Sequence, residues 1–90
     1  MRTLLDALAV LRSEGLKARY MPSDKPETVM VLYGEPSSYR SIETYPAMLF
    51  LSQSDGFWRV SPPAEGRPPF AESSHSTLDA ACRRILELVS

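Results

Sequence analysis

Leu4, Leu5, Leu8 and Leu11 recur at three- and four-residue spacing within residues 2–14, while Asp6, Arg12, Ser13 and Glu14 hold the other side. That period predicts an amphipathic helix with one apolar stripe. Gly15 is placed to end it in a left-handed conformation, and Leu16 just beyond can close back onto the last turn. From Leu16 the period changes to two, with Leu16, Ala18 and Tyr20 on one face and Lys17, Arg19 and Met21 on the other. This is the pattern of a half-buried strand. After a turn at 22–27, residues 28–33 are β-branched and apolar on both faces, which predicts an interior strand. A second helix is expected from Ser76, with Asp79 three residues on as an imperfect capping box. Its stripe is Leu78, Ala81, Cys82, Ile85, Leu88 and Val89; Asp79, Arg83 and Glu87 face out.

Residues 47–61 carry the sharpest signal. Two short apolar runs flank Asp55-Gly56, a dipeptide suited to a two-residue hairpin turn because both central residues need positive φ. The turn sets Ser54 opposite Phe57, Gln53 opposite Trp58, Leu51 opposite Val60 and Phe50 opposite Ser61. One face then holds Leu49, Leu51, Trp58 and Val60, and the other Met48, Phe50, Phe57 and Arg59. A one-residue slip would exchange the two faces and bury Arg59.

These elements predict a single α+β domain over residues 1–90, in the order helix, four strands, helix. Short connections make the sheet antiparallel, and two amphipathic helices require one apolar sheet face to cover. The opposite face is left open, presenting Lys17, Arg19, Met48, Phe50, Phe57 and Arg59. The register of residues 28–33 is not fixed by pattern, with Met30 and Leu32 the favoured outward pair. Two long connections remain. Residues 34–46 carry Tyr39, Arg40, Ile42 and Tyr45, residue types that anchor protein interfaces. The Pro-rich 62–75 stretch carries Phe70, expected to tuck beneath it.

Ten basic and eleven acidic side chains leave a formal charge of -1, which gives no global field for nucleic acid or an anionic membrane. The single cysteine, Cys82, rules out a disulfide framework within one chain and points to a reducing compartment, the cytoplasm. Asp6 interrupts the apolar run that a secretory signal needs, and no stretch is long enough to span a bilayer. Phosphate-loop, nucleophile-elbow and metal-ligand spacings are absent, so no cofactor or metal is expected. His75 is the sole histidine and has serines on both sides, but adjacent residues rarely converge and no acid is placed to orient the ring. Cys82 lies on an apolar stripe, where a thiol is a small hydrophobe. An enzyme is not expected.

The helix–strands–helix order resembles double-stranded RNA-binding domains, which place two helices on one face of a three-stranded sheet. That family's last helix begins with lysines, whereas this one reads Ser76-Thr77-Leu78-Asp79, so the resemblance implies fold rather than RNA binding. The Gly56-Phe57-Trp58-Arg59-Val60 hairpin followed by a final amphipathic helix also resembles small bacterial adaptors and toxin-neutralising immunity proteins. The expectation is a non-catalytic protein-binding module acting through Lys17, Arg19, Met48, Phe50, Phe57 and Arg59 on the open face, with Tyr39 and Tyr45 on the 34–46 loop. Its partner would be another protein or a second copy. A nucleic-acid-binding domain using the same face is the alternative.

Overall fold

A computed structural model describes all of residues 1–90. The chain runs α1 (Leu4–Ser13), β1 (Lys17–Met21), β2 (Thr28–Tyr33), β3 (Ser37–Tyr39), β4 (Ile42–Thr44), β5 (Ala47–Ser54), β6 (Phe57–Ser61), β7 (Ser73–His75) and α2 (Leu78–Val89). The main sheet is antiparallel with strand order β1-β2-β5-β6-β7, so it has five strands rather than the four expected. The extra one, β7, forms where the 62–75 stretch returns along β6. The 34–46 segment is not an irregular loop either: β3 and β4 pair into a separate ribbon.

α1 starts on a capping box. Thr3 Oγ1 accepts the Asp6 N–H, and the Asp6 carboxylate accepts the N–H groups of Thr3 and Arg2 at 3.0 and 2.9 Å. It ends as the glycine predicted: the Leu16 N–H returns to the Leu11 carbonyl and the Gly15 N–H to that of Arg12, which satisfies carbonyls the helix leaves free. The buried stripe is Leu4, Ala7, Leu8 and Leu11. Leu5, counted with that stripe in the sequence, is 55% exposed, since one residue on from Leu4 lies about 100° around the helix. The N-cap of α2 is Thr77, one residue after Ser76, and its side chain accepts the Ala80 N–H.

α1 packs over β1 and β2, α2 over β6 and β7, and the helices touch each other. Between them and the sheet lie Ala18, Val29, Val31, Leu49, Leu51, Trp58 and Val60, with the helical stripes closing the core from above. Phe70 packs against the same core. Along β1, Arg12 Nε donates to the Ala18 carbonyl at 3.1 Å.

The β5–β6 hairpin has the register that Asp55-Gly56 dictates, with Ser54 opposite Phe57, Leu51 opposite Val60 and Phe50 opposite Ser61. Asp55 and Gly56 both have positive φ, 54° and 79°. β2 pairs with β5 so that Met30 faces Phe50 and Leu32 faces Met48, which fixes the parity that the β2 sequence alone left open.

Candidate functional site

Residues directly opposite in an antiparallel ladder share a face, so the registers assign the uncovered side of the sheet row by row. One row runs Lys17, Leu32, Met48, and the next Arg19, Met30, Phe50, Ser61. A polar row follows, with Met21, Thr28, Ser52, Arg59 and Ser74, and then Ser54 beside Phe57 at the turn. All six sheet residues expected on this face are therefore brought together: Lys17, Arg19, Met48, Phe50, Phe57 and Arg59. Met30 and Leu32 complete the apolar rows. Both helices lie on the other face, leaving Met30, Leu32, Met48 and Phe50 half-buried by one another and Phe57 48% exposed.

The face is apolar along β2 and β5, with two cations on β1 and one arginine, paired with a carboxylate, on β6. Lys17 and Arg19 are exposed on β1. On β6, the Arg59 guanidinium lies 3.8 Å from the Glu72 carboxylate, which also accepts the Ser61 hydroxyl at 3.2 Å. Both charged side chains are substantially exposed, so this pair contributes about 0–1 kcal/mol. Arg59 Nε is buried against the sheet with no acceptor.

Tyr39 and Tyr45 belong to a different feature. The β2–β5 ladder ends at Tyr33 and Ala47, and residues 34–36 on one side and 45–46 on the other lead into the separate pairing of β3 with β4. The result is an arm whose strands are exposed throughout. At its tip Tyr39 and Ile42 sit opposite each other, 71% and 63% exposed. Arg40 and Ser41 make the turn with φ of 52° and 67°, and the Arg40 guanidinium lies 5.3 Å from the centre of the Tyr39 ring. Tyr45 is half-buried at the arm's base, and its hydroxyl donates to Glu43 at 2.6 Å, which pushes the phenol pKa up. Tyr39 and Tyr45 thus stand on or beside a separate two-stranded ribbon, and the six sheet residues on the main sheet.

One pair was missed. The Ser73 hydroxyl and His75 Nε2 are 2.8 Å apart, because alternate residues of a strand share a face. Ser74, adjacent to His75, projects to the opposite face of the strand. Neither of the two main clefts is lined by this pair. The first, about 450 Å³, lies at the end of the sheet beside the start of α1, between Leu5, Tyr20, Glu27 and Trp58. Tyr20 donates to Glu27 across it at 2.6 Å. The second follows β1 around Arg12. Cys82 is buried, with its thiol pushed up to about 11 by desolvation and by Asp79. No three His, Cys, Asp or Glu side chains gather within reach of one metal ion, and no helix is long and apolar enough to cross a membrane.

Comparisons with protein-family models, curated proteins and solved structures found no match.

Proposed function

We propose that this chain is a small non-catalytic binding module, adaptor- or immunity-like, that recognises another protein through the uncovered sheet face. The observation that carries this is a contiguous apolar strip, Met30, Leu32, Met48 and Phe50, left without a covering layer in a two-layer fold and edged by Lys17, Arg19 and Arg59. Interfaces combine such an apolar centre with a polar rim, and Met, Phe and Arg are enriched in them. The exposed arm tip, with Tyr39 and Ile42, supplies a second contact beyond the face. The single buried thiol fits a cytoplasmic setting.

The test is a photo-crosslinking amino acid in place of Phe57, compared with the same residue in place of Leu5 on the helical side, in a lysate of the source cells. The expected result is one protein adduct from position 57, none from position 5, and loss of the adduct when Phe50→Glu is added to a chain that still folds. Equal adducts from both positions would sink the assignment.

A nucleic-acid platform is the second reading, favoured by Phe50 and Phe57 lying on the same face as three cations. It predicts adducts removed by nuclease and an affinity falling steeply with salt.

A further inference from the structure

We propose that the occupant of the uncovered face is an acidic amphipathic α-helix; this deepens the protein-binding reading and rests on it. The geometry comes from the strand order. Cationic side chains stand on β1 (Lys17, Arg19) and on β6 (Arg59), with the apolar strands β2 and β5 between them. Three inter-strand spacings separate β1 from β6, about 14 Å. A helix is about 10–12 Å across, so one helix laid along β2 and β5 fills the strip and brings its flanks to both cationic borders. On β2 the face presents Met30 and Leu32, preceded by Thr28, within a strand of six residues that extends about 20 Å, the length of roughly thirteen helical residues.

The chemistry of the strip agrees with that shape. Met30 and Met48 are unbranched, flexible side chains that repack against the knobs of an apolar helical stripe, as methionine-rich surfaces do, with Leu32 between them. Acidic residues on either side of the stripe would meet Lys17 and Arg19 on one flank and Arg59 on the other. The exposed end of the Arg59 guanidinium is held only by the exposed Glu72 at 3.8 Å, so a partner carboxylate can compete for it. A second copy fits less well, because pairing this face with itself sets cationic borders against cationic borders. RNA fits less well too: of the four strip residues only Phe50 offers a ring for a base to stack on, and Met30, Leu32 and Met48 offer none.

The experiment titrates the ¹⁵N-labelled full chain with three synthetic peptides of about fifteen residues. The first carries Leu and Met at helical spacing with Glu at the flanking positions. The second replaces Glu by Lys, and the third rearranges the first to strand spacing. The Glu-flanked helix is expected to shift the amides of Met30, Leu32, Met48 and Phe50, to gain helical circular dichroism, and to bind about tenfold tighter than the Lys-flanked one at low salt. That ratio should fall toward one at about 1 M salt, where screening is nearly complete. Lys17→Glu with Arg19→Glu should reverse the preference. Equal affinity for the Lys-flanked peptide, tighter binding of the strand-period peptide, a dimer occupying the face, or displacement by oligouridylate would each overturn the proposal. The two levels separate cleanly. If position 57 still crosslinks to a protein while no helical peptide perturbs the face, the helix is wrong and the binding surface stands; if both fail, both fall.

Discussion

Gly34 and Pro46 face one another at the base of the arm, so closely that a Cβ on Gly34 would stand 2.6 Å from the Pro46 Cγ. Gly34 also has φ of 91°, where a side chain is strained whatever space surrounds it. The junction that launches the arm therefore depends on this glycine. Gly34→Ala is expected to cost about 1–3 kcal/mol and to weaken the nuclear Overhauser contacts between Ser37 and Thr44. Urea melts and a two-dimensional NMR spectrum check both.

The tip of the arm should respond in the opposite direction. Arg40 and Ser41 occupy the left-handed region in which Asn-Gly is preferred. Replacing them by Asn-Gly is expected to stabilise the chain by about 1 kcal/mol, read as a rise in the urea midpoint with an unchanged slope. A partner that grips the tip would lose affinity in the same variant, since Arg40 is removed.

Core and face should separate energetically on one hairpin. Leu51 is fully buried, so Leu51→Ala should cost about 2–5 kcal/mol. Phe57, half-exposed on the other face, should cost less than about 1 kcal/mol when cut to alanine. Similar losses from the two in denaturant melts would mean that the register is wrong.

At low pH the start of α1 is the sensitive point. The backbone N–H of Arg2, then that of Thr3, hold the Asp6 carboxyl below its ordinary value of 3.8. A depressed carboxyl contributes stability above its unfolded pKa and loses it as pH falls through the folded one. Asp6→Asn should therefore destabilise at neutral pH and flatten the fall in stability below about pH 4. Thr3→Ala, which removes the other half of the cap, should cost about 1 kcal/mol in thermal melts.

Cys82 contributes on the alkaline side. Its thiol titrates at about 11 against an ordinary 9.0, so the folded chain keeps a proton that the unfolded chain gives up. This contribution is intact below about pH 9 and declines as pH rises toward 11. A chromogenic disulfide reagent should label Cys82 slowly in the native state and at once in urea; rapid native labelling would contradict its burial.

Much of the sheet was legible because one turn carried it. Asp55-Gly56 fixed the β5–β6 register, and the parity of Leu49, Leu51, Trp58 and Val60 then separated core from outer face. The outward pair Met30 and Leu32 followed from apolar preference, and their pairing with Phe50 and Met48 agrees. The arm was hidden because its turn uses Arg40-Ser41, residues that announce no positive φ, and because Ser37, Ser38 and Glu43 show no apolar alternation. β7 was hidden for a related reason: Ser73, Ser74 and His75 have little strand preference of their own, and their pairing with Trp58, Arg59 and Val60 is imposed by the fold.

The Arg12 side chain has a wider effect than its single bond to Ala18 suggests. A strand approaching β1 from outside needs the Ala18 carbonyl, and finds it already taken by a guanidinium. On the far side, β7 offers only three residues. Sideways growth into a ribbon of many copies is therefore disfavoured at both borders, by an occupied carbonyl at one and a short strand at the other.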